Sequence, residues 1–158
     1  MKEGRHIAWA AKSQLWVEEQ SGRNDGDQVE MYLGGPRERG LPWCAAFALW
    51  CCRIGGAQVE QTRPEFYAMR NVQALMDKAV ERGQFVDKGG RPEVGDIVFF
   101  RGRSGSDGGR GNHCGIVTEV SGPLIVTVEG NLGNRVGERQ HMRDNDLIAG
   151  YYRPRFDP

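Results

Sequence analysis

The sequence predicts an α+β domain in which N-terminal helices pack on a C-terminal antiparallel β-sheet. Apolar residues recur at helical spacing up to about residue 82. After "KGGRPEVG" (88–95) the chain changes to short segments rich in β-branched and aromatic residues, separated by turn signals. Helices first and consecutive strands afterwards point to segregated layers instead of alternating β-α-β units. At 158 residues the chain has the size of one ordinary domain and can bury a core without disulfide or metal staples, so a single domain over residues 1–158 is expected.

Residues 4–19 place Ile7, Ala10, Ala11 and Leu15 at helical spacing with Trp16 beside them, which predicts a first amphipathic helix. "SGRNDGD" (21–27) breaks the chain, and Asp27 stands where it can cap a short helix through "QVEMYL". "GGPRERGLP" (34–42) is a loop. From Trp43 to about Ile54 nearly every residue is apolar, and Gly55 and Gly56 close the run, the pattern of a buried helix. A third amphipathic stretch covers residues 65–82, with Tyr67, Val72, Leu75, Met76, Ala79 and Val80 on one side. The strands are "DIVFF" (96–100), "HCGIVTEV" (113–120), "LIVTVEG" (124–130) and "LIAGYYRP" (147–154). "RGRSGSDGGRG" (101–111) is too polar and glycine-rich to pack, so a mobile loop is expected there.

Composition narrows the function classes. Lys+Arg and Asp+Glu both number 21, so no net field draws the molecule to nucleic acid or anionic lipid. The first twenty residues lack the apolar core and small-residue cleavage site of a secretory signal, and no run approaches the roughly 18 apolar residues of a spanning helix. Synthesis in the cytoplasm without a signal peptide or membrane insertion is therefore expected, as is a monomer. Cys51 and Cys52 are adjacent and Cys44 is close by, unlike the dispersed cysteines of a secreted disulfide framework, so reduced thiols are expected. Cys51, Cys52, His113 and Cys114 carry zinc-binding atoms without zinc-site spacing, and no metal or other cofactor is expected.

A cysteine nucleophile needs a stabilised thiolate, a base and donors for an oxyanion. Cys44 begins the predicted buried helix just after Pro42, where free backbone N–H groups and the positive end of the helix dipole favour a thiolate. Cys51 and Cys52 lie two turns further in and read as packing residues. Among the histidines, His6 on the first helix and His141 in the polar loop "GERQHMRDND" read as surface residues. His113 differs, because it opens a strong strand directly after the glycine loop and can face a cleft on a fixed backbone. Strand alternation turns Cys114 to the opposite face, which argues against it as His113's catalytic partner. If the hairpin through "SGP" pairs its strands antiparallel, Glu129 or Asn131 lies beside His113 as the group that orients the imidazole. Taken alone, Glu129 reads equally as an edge charge and Asn131 as a turn residue.

"GLPWCAAFALW", "RPEVGDIVFF", "GNHCGIVTEV" and "LIVTVEGN" together resemble, in content and order, the CHAP domains, an amidase and peptidase branch related to NlpC/P60 in the papain-like superfamily. The similarity runs from about residue 24 through the final strand. It implies a papain-like fold with Cys44 as nucleophile, His113 as base, Glu129 as the acidic member and Asn131 as a further polar member. It also implies cleavage of a peptidoglycan amide bond, by muramoyl-alanine amidase or stem-peptide or crossbridge endopeptidase action. Cys114 departs from the family, which usually has an apolar residue there. Some members bind calcium upstream of the nucleophile; Asn24, Asp25 and Asp27 are the local candidates, but three short polar groups at a turn read better as caps.

From position, Trp43, Tyr67 and the loop 101–111 are expected to line the substrate groove. The expected partner is peptidoglycan, reached either as a phage lysin after holin release or as an antibacterial effector delivered by a secretion machine, the latter with an immunity protein. Two other uses of the same residues stay open: acyl transfer from Cys44 to an amine or hydroxyl, and a vestigial site that binds wall peptide or a partner without cleaving it.

Overall fold

The computed structural model describes residues 3–102 and 111–156. Five helices precede most of the sheet: α1 (Gly4–Lys12), α2 (Asp27–Leu33), α3 (Cys44–Ile54), α4 (Arg63–Met69) and α5 (Val72–Glu81). The strands are β1 (Ala57–Gln58), β2 (Phe85–Asp87), β3 (Ile97–Arg101), β4 (Gly111–Ser121), β5 (Leu124–Glu129), β6 (Gly137–Met142), β7 (Ile148–Tyr152) and β8 (Arg155–Phe156). Six of them form an antiparallel sheet in the order β2-β7-β3-β4-β5-β6, and β1 pairs with β8 separately. The architecture is the expected α+β one, and no described helix is long and apolar enough to cross a membrane.

Helix α3 is the hub. Its residues from Cys44 to Leu49, with Cys51 and Cys52, are all buried, because a helix apolar all round is stable only when neighbours cover every side. It packs against α1, α2, β4 and β5. The approach to β5 is close: a Cβ on Gly130 would stand 2.6 Å from Cβ of Phe47. A second apolar cluster, including Val98, Phe100, Val117 and Tyr151, fills the other face of the sheet.

Four expectations about elements are revised. The first helix ends at Lys12 instead of continuing to 19. Gln14 turns into the core, where its Oε1 accepts from Tyr32 Oη at 2.5 Å and from Gln28 Nε2 at 2.7 Å, leaving Trp16 70% exposed. The stretch 65–82 is two helices, broken where Asn71 Oδ1 accepts from Ala74 N at 3.0 Å and caps α5. "GERQHM" is no loop but strand β6, paired with β5 along its whole length. Strand β2, which the sequence pattern does not announce, pairs with β7 at the sheet edge. The predicted mobile loop falls largely on residues 103–110, which lie outside the described residues.

Candidate active site

Three elements converge at one end of the sheet. The first is the start of α3, where Trp43 is the N-cap residue and offers no side-chain cap, so the first-turn N–H groups are not taken up by a cap side chain. Trp43 is fully buried, donates its indole Nε1–H to Glu19 Oε2 at 2.8 Å and stacks on Tyr32. The expectation that Trp43 lines the groove is therefore corrected: its ring anchors the helix start from beneath. Glu19 is locked in turn, its Oε1 accepting from the Asn24 backbone N–H at 2.9 Å.

The second element is β4. His113 and Cys114 are consecutive on this strand, against which α3 packs. Cys114 and His113 both act to lower the Cys44 thiol. His113 stacks on Phe100 with centroids 5.9 Å apart, and its side chain is 23% exposed.

The third element is the end of β5. The β4–β5 hairpin turns at Gly122–Pro123 and pairs Ser121 with Leu124, so the far end of β5 returns to the start of β4. His113 Nε2–H donates to Glu129 Oε1 at 2.7 Å, which leaves Nδ1 to face Cys44. Gly115 permits this approach, since a Cβ there would stand 2.4 Å from Glu129 Cγ. Asn131 does not take the orienting position. It sits at φ 57° past the strand end, and its Nδ2 donates to Asn24 Oδ1 at 3.4 Å. The choice between Glu129 and Asn131 that sequence left open thus falls to Glu129 in the geometry.

Glu129 is completely buried, and its charge is met by a cage that the sequence reading missed. Arg139 donates Nε–H to Oε2 at 2.9 Å and Nη2–H to Oε1 at 2.6 Å. Thr127 Oγ1 donates to Oε2 at 2.6 Å, and His141 Nε2 lies 3.2 Å from Oε2. His141 is buried, not a surface histidine. The available signal was the Arg-x-His spacing of "RQH", which puts both side chains on one face of a strand. It was hidden because β6 is polar and reads as a loop.

The electrostatics follow from these contacts. Burial works against the Glu129 carboxylate, but the donors from His113, His141, Arg139 and Thr127 outweigh it and hold the group well below its usual range. Burial also works against the His113 imidazolium; contacts with Cys44 and Glu129 prevail and its pKa is pushed up to about 9. The Cys44 thiol is lowered, first by the hydrogen bond from the Cys114 thiol and, against burial, by His113. The two shifts run in the directions that favour a thiolate–imidazolium pair. Burial instead pushes the Cys51 and Cys52 thiols up, in keeping with packing residues.

A family model described as "CHAP domain" matches residues 36–131, more than half of the chain and all four sequence-predicted polar site residues. The chain belongs to the CHAP family. Two solved structures of Ly7917, one of them described as "with the hydrolyzing product of MDP", align with this CHAP domain at 16% and 17% identity and a TM-score of 0.57. Each alignment covers 96% of this chain and 62% of the other, so the chain spans under two thirds of Ly7917. At that identity the likeness bears on the fold. A comparison with curated proteins finds no match. Arg139 and His141 lie beyond the matched segment.

Two clefts of this CHAP domain share Asn112, the residue before His113. One, of about 420 Å³, is lined by Cys44, Leu41, Tyr67, Arg70 and Asn112. Tyr67 is held there by Arg63, whose Nε–H donates to its hydroxyl at 2.8 Å, and by Arg70 4.5 Å over its ring. The other, of about 500 Å³, contains Asn131, Arg139 and Asn145. At the calcium candidates, both Asp25 oxygens accept from Ser21, at 2.9 and 2.6 Å, and Asp27 is the first residue of α2. Among the described residues no group of three or more His, Cys, Asp or Glu is arranged to hold a metal ion.

Proposed function

We propose that this CHAP domain hydrolyses an amide bond of peptidoglycan, with Cys44 as nucleophile, His113 as general base and acid, and Glu129 as the group that orients and charges the imidazole. The observation that carries the reading is the chain of contacts Cys44–His113–Glu129, with the sulfur opening into the cleft that also holds Tyr67. The Cys44 thiolate attacks the scissile carbonyl carbon, and the backbone N–H at the start of α3 stabilises the oxyanion. His113 Nδ1–H protonates the leaving amine as the C–N bond breaks. The neutral imidazole then takes a proton from water, whose hydroxide attacks the thioester; the released acid leaves Cys44 as thiolate and His113 as imidazolium again. Every proton is returned, and Glu129 stays ionised throughout.

Tyr67 contributes an aromatic wall to the substrate cleft. The substrate class rests on family membership and on Ly7917, whose structure was solved with a hydrolysis product of MDP. Intact peptidoglycan is incubated with wild type and with Cys44→Ala, and the new ends are identified by mass spectrometry. New N-terminal alanine identifies an amidase; new D-amino-acid termini or a free crossbridge amine identify an endopeptidase. Release of the same ends by the variant sinks the proposal. Setting is read from genomic neighbours: a holin gene supports a lysin, whereas a small periplasmic-type protein supports an effector with an immunity protein seated over Cys44.

A further inference from the structure

His113 must hand its proton to the departing amine, so the leaving fragment of the substrate lies on the His113 side of the scissile bond. The two clefts divide along that line. The cleft of about 420 Å³ contains Cys44 and Tyr67 but not His113, and the cleft of about 500 Å³ contains His113 but not Cys44. The acyl fragment therefore occupies the first and the leaving fragment the second. In the first, the charged lining side chain, Arg70, is already paired, its Nη1 donating to Glu38 Oε2 at 3.2 Å. The second is lined by Arg101 and Arg139 with the amides of Asn112, Asn131, Gln140 and Asn145, and no Asp or Glu is among its described lining residues. The Arg101 side chain donates to the backbone carbonyl of Asp146, whose carboxylate lies 3.9 Å from Lys88 instead.

Arg139 is committed to the cage by one edge only. Its Nε–H and an Nη2–H hold Glu129, which is completely buried and lines neither cleft. A guanidinium carries donors on two edges in a fixed fork geometry. The other edge, made of Nη1 and the second Nη2–H, points away from Glu129 and has no hydrogen-bond partner among the described residues. It belongs to a side chain that is 35% exposed and forms part of the wall of the second cleft. Nη2 and His113 Nε2 meet the same Glu129 oxygen, at 2.6 and 2.7 Å, so this edge stands close beside the imidazole.

The geometry points to a carboxylate subsite: the cleft beside His113 binds a carboxylate of the leaving fragment, held by the outer edge of Arg139 and by Arg101. This rests on the Cys44–His113 hydrolysis proposed above. An arginine edge and a carboxylate pair through two parallel N–H bonds, a planar match that an amide cannot reproduce with the same charge. Because Nη2 lies so near His113, and an extended chain advances about 3.3–3.6 Å per residue, the bound carboxylate stands within about two residues of the new amine. Of the two ends produced by cleavage, the amine-bearing one is recognised by its charge, while the acyl end lies against Leu41 and Tyr67.

The test uses the enzyme's own product. The amine-bearing fragment that wild type releases from peptidoglycan is purified and sequenced by mass spectrometry, and a portion is converted to carboxamides with carbodiimide and excess ammonium chloride. Both forms are assayed as inhibitors of peptidoglycan clearance by wild type, Arg101→Gln and Arg139→Lys. The fragment should carry a carboxylate within about two residues of its new amine. Wild type should be inhibited about tenfold more strongly by the natural form than by the amidated one, and each variant should shrink that ratio to about threefold or less. The ratio compares two ligands on one protein, so a general loss of turnover in Arg139→Lys cancels from it. Equal inhibition of wild type by both forms, a wild-type ratio in either variant, or a fragment without such a carboxylate overturns the subsite while leaving Cys44 hydrolysis in place. Release by wild type of no fragment that Cys44→Ala does not also release removes the hydrolysis reading itself, and this inference with it.

Discussion

Replacing Glu129 with Gln tests the cage around the histidine. The two side chains have nearly the same shape, so the change is one of charge and donor pattern. In wild type, Oε1 accepts from His113 and Arg139, and Oε2 accepts from Thr127 and Arg139 with His141 beside it. An amide has a single oxygen. If that oxygen faces His113, the NH2 group meets Arg139 Nε–H; if it faces Arg139 Nε–H, the NH2 group meets both Arg139 Nη2–H and the His113 Nε2–H. Either way donor confronts donor, and Arg139 loses its neutralising anion. Breaking a buried ion pair by removing one partner costs about 3–5 kcal/mol of stability. Loss of the anion behind a catalytic imidazole, together with its orientation, lowers turnover by about 10⁴-fold in the analogous serine triad. The assay pairs urea unfolding with turnover of a soluble muropeptide, measured where the variant is still folded. A Glu129→Gln protein within about 0.5 kcal/mol of wild type and within threefold in kcat would refute the cage as a source of either effect.

The pH dependence follows from the same pair. His113 carries a raised pKa, so its ion-pair contribution is complete below about 6.5 and is lost as pH rises through about 9; kcat/KM should fall with a limb near 9, and a limb near 6.5 would contradict the pairing. Glu129 is shifted the other way, so its contribution is present above about 4.5 and lost as pH falls below that value, read as a falling Tm in acid. Gly115→Ala should push Glu129 or β5 away, costing about 1–3 kcal/mol by overpacking and lowering kcat about 100-fold through a misplaced histidine; unchanged kinetics would show that the close approach is unnecessary. Cys52→Ala should lose about 1–2 kcal/mol from the core yet keep its turnover, whereas a folded but inactive Cys52→Ala beside a still active Cys44→Ala would displace the nucleophile assignment from Cys44.

Much of this was legible because local pattern and burial agreed. The apolar run after Pro42 reads better as a buried helix than as a strand, and the β-branched segments read as strands. Antiparallel pairing in the hairpin then placed Glu129 or Asn131 beside His113. What stayed hidden depended on contacts distant in sequence. Trp43 looks like a groove aromatic until Glu19 and Tyr32 are found around it. Strand β6 carries Arg139 and His141 inward, against the usual rule for buried faces, because the group they meet is a carboxylate. The break between α4 and α5 turns on one cap at Asn71 in a stretch whose periodicity is otherwise continuous.

The central claim is that the Cys44 sulfur becomes covalently acylated during turnover. Wild type is mixed with a muropeptide substrate, quenched in acid within the first turnover and digested, and the peptide containing Cys44 is weighed. The account predicts a mass increase equal to the acyl fragment on that peptide and on no other, absent from Cys44→Ala, which also releases no product. Cleavage by Cys44→Ala, or an acyl adduct on a different cysteine, would contradict it.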